Sequence, residues 1–63
     1  MIEFIKFLKS NQKTRLGGGK YLDKDQLKKI YLKDDFDTKW KIVRENGYIR
    51  PIAMGGQYWE LNM

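Results

Sequence analysis

A chain of 63 residues that contains neither cysteine nor histidine depends on its hydrophobic core alone for stability. Without these two residue types it has no disulfide framework, no thiolate or imidazole metal ligand and no proton shuttle near neutral pH. A chain this short buries only about 60% of the surface that its unfolded form exposes, so residues 1–63 form one domain. The candidate core material is a set of nine aromatic side chains: Phe4, Phe7, Tyr21, Tyr31, Phe36, Trp40, Tyr48, Tyr58 and Trp59.

Two helices are predicted in the first half of the chain. In MIEFIKFLKSNQ the apolar residues at positions 1, 4, 5 and 8 share one helical face, with a strand as the alternative. The second helix is predicted to follow Asp23, an N-cap candidate with Gln26 at the capping-box position, and Leu22 and Leu27 occupy the positions of a hydrophobic staple. Its predicted buried stripe consists of Leu27, Ile30 and Tyr31.

A third helix is predicted to begin at Asp35 or Asp37 and to end at Gly47, where glycine suits a left-handed stop. Its predicted buried side consists of Phe36, Trp40 and Val43.

A C-terminal hairpin is predicted from YIRPIAM and QYWELNM, which flank the pair Gly55-Gly56, a two-residue turn signal. Pro51 restricts the first of these strands to an edge or a bulge. Strand alternation places Tyr58 and Trp59 on opposite faces, so one of them is expected to be exposed.

The stretch RLGGGKYLD suggests a phosphate-binding loop, but the residue after Lys20 is Tyr21, where a P-loop needs serine or threonine. We therefore interpret residues 17–19 as a flexible connection after the first helix. It leads into a short strand, residues 20–22, which could pair with the hairpin.

Thirteen Lys and Arg residues against eight Asp and Glu give a net charge of +5, which favours a polyanionic partner. The sequence has no apolar stretch of membrane-spanning length and no signal-peptide pattern, so a cytoplasmic protein without membrane contact is expected. No nucleophile-base pair or metal cluster can be assembled from these residues, so neither enzymatic activity nor a cofactor is expected.

The order of the predicted elements is helix, short strand, helix, helix and hairpin, and residues 20–62 resemble the winged helix-turn-helix DNA-binding domain family. The resemblance is clearest in FDTKWKIVRENGYIRPI, which looks like a recognition helix, its glycine stop and the first wing strand. It implies an α+β fold of three helices with a C-terminal β-hairpin wing and a short strand before helix 2. The matching apolar core positions are Leu27, Phe36, Trp40, Val43 and Ile49.

The resemblance also implies a small protein that binds double-stranded DNA, as a transcriptional regulator or similar accessory factor, with its third helix in the major groove. The candidate DNA-binding residues are Thr38, Lys39, Lys41 and Arg44 on the helix, Arg50 on the wing strand and Lys20 beside the glycine loop. The sequence leaves open whether the protein acts as a monomer or as a homodimer.

Three carboxylates at the start of the third helix, Asp34, Asp35 and Asp37, oppose this interpretation because they repel phosphate. One or two of them are expected to cap the helix. The helix could then dock through its middle and the wing, or one aspartate could accept a hydrogen bond from cytosine. The alternative function is a protein-protein interaction module on the same scaffold, with Met54, Tyr58 and Trp59 at an exposed hairpin.

Overall fold

The structure, a computed structural model, describes all 63 residues. Its helices are α1 (Ile2–Ser10), α2 (Lys24–Ile30) and α3 (Phe36–Glu45), and its strands are β1 (Lys13–Thr14), β2 (Lys20–Asp23), β3 (Ile49–Pro51) and β4 (Tyr58–Leu61). The strands form one antiparallel sheet in the order β1-β2-β4-β3. This architecture confirms the predicted α+β class, the three helices, and the pairing of a short strand before α2 with the C-terminal hairpin.

The glycine-rich stretch does more than connect α1 to the sheet, and here the prediction was incomplete. It turns the chain between β1 and β2, with Gly17 and Gly18 at φ of 98° and 96°. The turn is closed by the Arg15 amide, which donates to the Gly19 carbonyl at 2.6 Å, and by the Gly18 amide, which donates to the Arg15 carbonyl at 3.0 Å. The two residues of β1 carry too short a pattern to be identified as a strand from sequence.

The start of α2 follows the sequence signals. The Asp23 carboxylate accepts a hydrogen bond from the Gln26 amide at 3.3 Å, and the staple residues Leu22 and Leu27 are both buried. The predicted stripe is wrong in part, because Ile30 is 42% exposed and Tyr31 lies beyond the helix as its C-cap. The backbone of Tyr31 is extended, so from this residue onward helical periodicity does not determine which side chains face the core.

The end of α3 also agrees with the prediction. Gly47 adopts φ of 74°, its amide donates to the Arg44 carbonyl, and the Tyr48 amide donates to the Val43 carbonyl at 2.9 Å. This is a Schellman motif, which satisfies the last helical carbonyls and turns the chain into β3.

Pro51 lies in β3, which is an edge strand as the sequence required. The turn between β3 and β4 is longer than the predicted two-residue connection, because it spans residues 52–57. Gly55 and Gly56 lie within it with φ of 99° and 73°.

One apolar core joins the three helices to one face of the sheet. It contains nine fully buried residues: Phe4, Leu8, Leu22, Leu27, Phe36, Trp40, Val43, Ile49 and Trp59. Phe7, Tyr31 and Tyr48 pack against it, partly buried. Of the candidate core aromatics, Tyr21 and Tyr58 lie outside this core, and the exposure of Tyr58 confirms that one of Tyr58 and Trp59 faces solvent. The two tyrosines alternate with the buried Leu22 and Trp59 along β2 and β4, so they lie on the outer face of the sheet.

Candidate nucleic-acid interface on α3 and the hairpin

The outward side of α3 is open to solvent. Phe36, Trp40 and Val43 face the core, which leaves Thr38 and Lys41 exposed on the opposite side. Ile42, 40% exposed, lies beside them. The side of α3 expected to face DNA is therefore not covered by any other element of the fold.

The predicted α3 residues do not form one basic stripe. Lys39 and Arg44 are five residues apart and so lie about 140° apart around the helix axis, on its two flanks. On the outward side Lys41 pairs with Glu45, with Nζ and Oε1 3.8 Å apart. The outward side is thus nearly neutral, and of the two flanking cations Lys39 pairs with Asp35 while Arg44 has no ion pair.

The hairpin and loop candidates lie apart from α3. Ile49 is buried and Arg50 exposed, so alternation places the Arg50 side chain on the outer face of the sheet, where it donates to the Glu60 carboxylate. Lys20 begins β2, which β4 separates from β3, so Lys20 and Arg50 lie on strands roughly 10 Å apart. Arg44 and Lys20 are the two candidate cations without an ion pair.

Asp35 is the centre of a small polar network between α2 and α3. It accepts a hydrogen bond from the Tyr31 hydroxyl at 2.8 Å, and its second oxygen lies 3.2 Å from Lys39 Nζ. The Tyr31 hydrogen bond holds the pKa of Asp35 below its usual value, with a further contribution from Lys39. Asp35 in turn raises the pKa of Lys39. Burial, followed by the hydrogen bond to Asp35, raises the pKa of Tyr31.

The expectation that one or two aspartates cap α3 was wrong. Asp35 occupies the N-cap position, but its side chain makes no capping hydrogen bond: its backbone is not extended, and its oxygens contact Tyr31 and Lys39 instead. Asp37 instead pairs with Lys28 of α2 at 3.0 Å. Asp34 has no ion-pair partner, so two of the three carboxylates are neutralised locally and one is not.

Sequence reasoning missed a second feature, a depression on the outer face of the sheet. It has a volume of about 570 Å³ and is lined by Tyr21, Tyr58, residues 14–16 and residues 52–53. The two tyrosine rings meet edge to face, with centroids 5.7 Å apart. The sequence signal for this surface is alternation, because Tyr21 and Tyr58 each stand next to a residue that faces the core.

Comparison with known proteins gives no match among protein-family models, curated proteins or solved structures. None of the three helices has the length and apolar character needed to cross a membrane. No group of three or more acidic side chains is placed to share a metal ion.

Proposed function

We propose that the protein is a small winged-helix protein that binds duplex DNA, with α3 in the major groove and the β3–β4 hairpin as the wing. One observation carries the proposal: α3 packs through a single face and leaves its outward face uncovered, in a domain of net charge +5. The sheet order β2-β4-β3, with α2 and α3 packed against one face, supports the same assignment. The proposal gives the chain an accessory or regulatory role on DNA and no catalytic activity.

The outward residues of α3 have chemistry suited to base edges. The Thr38 hydroxyl can donate to or accept from a base, and the exposed Ile42 side chain can contact a thymine methyl group. Arg44 and Lys20 are free to contact phosphate without losing an ion pair. Affinity in this arrangement comes mainly from phosphate contacts, and the few base contacts set a modest sequence preference.

Three of the candidate cations must exchange partners when DNA binds. Lys39, Lys41 and Arg50 are each paired with a carboxylate in the free protein. The Lys41 pair is exposed and contributes little stability, so a DNA phosphate can replace its carboxylate. The Lys39 and Glu60 side chains are only 26% and 19% exposed, so their ion pairs exchange at a higher cost. The displaced carboxylates remain near the interface and lower the net gain, which predicts weak, strongly salt-dependent binding.

The test is a titration with generic duplex DNA at several salt concentrations. If Lys39, Lys41, Arg44 and Arg50 make four phosphate contacts, log affinity should fall against log salt with a slope of about −3.6. Each residue removed should reduce that slope by about one.

A matched pair of charge variants sharpens the test. Asp34→Asn removes an unpaired carboxylate, and Asp37→Asn also releases Lys28, so both should strengthen non-specific binding. Glu3→Gln on α1 is the control, because it removes the same charge at the start of a different helix. No affinity at low salt, with no gain in either asparagine variant, refutes DNA binding.

The specific observation that favours the alternative, a protein-interaction module, is the depression on the outer face of the sheet. It lies on the face of the sheet opposite to α3 and shares that face with the candidate DNA contact Arg50, but not with the candidates on α3. The two functions can therefore be tested separately.

A further inference from the structure

The depression on the outer face of the sheet exists because β2 and β4 each place one tyrosine away from the core. Leu22 and Trp59 are paired across the two strands and buried, so their neighbours Tyr21 and Tyr58 must face outward. All three helices pack on the opposite face, and no element of the fold covers the two rings. Tyr58 remains 38% exposed although its ring packs against Tyr21.

The surroundings of the tyrosines are apolar. Leu16 lines the depression at one end and is fully exposed, and Ile52 and Ala53 line it at the other. Met54 follows directly after Ala53 and is also fully exposed. Single exposed apolar residues are ordinary, but two of them beside an open aromatic surface are typical of a protein-binding site.

The charges on this face favour an acidic ligand. Arg15 and Arg50 both pair with the single carboxylate of Glu60, and Arg15 does so at 3.6 Å, which leaves its guanidinium donors available. Lys13 stands opposite Tyr21 in the β1–β2 register and has no ion pair. The other carboxylate on the face, Asp23, accepts hydrogen bonds from the Gln26 amide and from Gln57. Positive charge is therefore in excess around an apolar centre.

We propose that this depression binds an acidic segment of a partner protein, with an aliphatic or aromatic side chain seated against Tyr21 and Tyr58. Carboxylates on either side of that anchor face Arg15 and Lys13. Tyrosine supplies a large, rigid contact surface, and arginine recognises a carboxylate through paired donors, which together give a compact binding site. A single-stranded nucleic acid fits less well, because the lining of the depression is mostly apolar and offers few contacts to a phosphate backbone.

The experiment selects ligands without assuming a partner. A phage library of random 12-residue peptides is panned against the immobilised protein, and enriched peptides are synthesised and titrated into ¹⁵N-labelled protein. The enriched peptides should combine Asp or Glu with Leu, Phe or Trp, and they should shift the amides of Tyr21, Tyr58 and residues 14–16.

Two pairs of variants give matched controls. Leu16→Asp should weaken peptide binding at least tenfold, whereas Leu32→Asp changes a residue of similar exposure in the α2–α3 connection and should leave it unchanged. Arg15→Glu should also weaken peptide binding at least tenfold. Arg44→Glu makes the same charge change on α3 and should leave peptide binding unchanged. All four side chains are exposed, and Arg15 also pairs with Glu60, so circular dichroism and the amide spectrum of each variant verify that it is folded.

Several results overturn the proposal. They are a failure to enrich any peptide, enriched peptides without acidic residues, amide shifts confined to α3, or equal effects in each matched pair. A 12-nucleotide oligothymidine that shifts the same amides and displaces the peptide would instead identify a single-stranded nucleic-acid site. The affinity for duplex DNA is measured on the same variants, and Leu16→Asp should preserve it while Arg44→Glu should reduce it. A failure of the peptide site is therefore distinguishable from a failure of DNA binding.

Discussion

Replacing each of the two tryptophans by phenylalanine separates core packing from the effect of one hydrogen bond. Trp40 and Trp59 are 3% and 7% exposed, and their rings meet edge to face with centroids 5.5 Å apart. Both substitutions remove the same atoms from the same core, so the packing losses are comparable. The two indole N–H groups differ. Trp59 Nε1 donates to the Gly56 carbonyl at 2.7 Å, whereas the buried Trp40 Nε1 has no acceptor among the protein atoms.

The difference between the two variants follows from these N–H groups. Trp59→Phe loses a hydrogen bond with a net value of about 0.5 to 1.5 kcal/mol. Trp40→Phe removes a buried donor whose missing acceptor costs about 1 to 3 kcal/mol, so that free energy is recovered. The Trp40→Phe protein should therefore be the more stable of the two, by about 1.5 to 4.5 kcal/mol. For a small domain this corresponds to a difference in Tm of at least about 6 °C.

The assay is urea and thermal unfolding followed by far-UV circular dichroism, which reports mainly on the backbone and gives a midpoint for each variant on its own baselines. Phenylalanine is the useful substitution, because Trp40→Ala should cost about 3 to 5 kcal/mol. That loss is comparable to the total stability of about 3 to 9 kcal/mol expected for a chain of this length, so the alanine variant should unfold. If Trp40→Phe destabilises the domain as much as Trp59→Phe, or Trp40→Ala stays close to normal stability, the reasoning is refuted.

Two further predictions concern pH and the hairpin. The Tyr31 hydrogen bond lowers the pKa of Asp35 in the folded protein, so it adds stability that is present above about pH 4 and lost as the pH falls through the folded pKa. In the Tyr31→Phe variant the stability should therefore fall less steeply as the pH is lowered. The measurement is the urea midpoint as a function of pH, and parallel curves for the variant and the unchanged protein would exclude this role of Tyr31. Replacing Gly55 and Gly56 by valine should lower the free energy of unfolding by about 1 to 2 kcal/mol each, because both have positive φ. An added Cβ meets no neighbour at either position, so the cost comes from the backbone conformation alone. The amide shifts of the hairpin should change while the helices persist. Ala53→Val is the control, because Ala53 is an exposed neighbour without positive φ, and it should change the stability little. If Ala53→Val costs as much as the glycine substitutions, positive φ is not the cause of the loss.

The sequence by itself determined the elements whose signals act on their immediate neighbours. Asp23 caps α2 through an amide three residues away, and Gly47 ends α3 through amides and carbonyls within five residues. Such interactions depend on local backbone geometry, so they can be read before the tertiary fold is known. Burial of the apolar face of α3 was predictable for the same reason, because helical periodicity fixes which residues share a side.

Partners that are distant in the chain could not be read in this way. Asp37 pairs with Lys28, nine residues away, and Arg50 with Glu60, ten residues away across two strands. Both ion pairs change the candidate interface, since one neutralises a carboxylate at the start of α3 and the other holds a predicted phosphate-binding residue. The composition gives the number of such charges but does not show which of them form ion pairs.

Alternation separates Tyr58 from Trp59, but only the tertiary structure decided which aromatic residues of the sheet face the core. Two residues of β1 contain no periodicity, and their pairing with β2 depends on a turn that brings Thr14 opposite Lys20. The register of β2 with β4 then sends Tyr21 and Tyr58 to the outer face, because side chains alternate along a strand and a shift of one residue would bury them. Local sequence therefore specified the three helices, the start of α2 and the end of α3, while long-range strand pairing created the depression on the other side of the sheet.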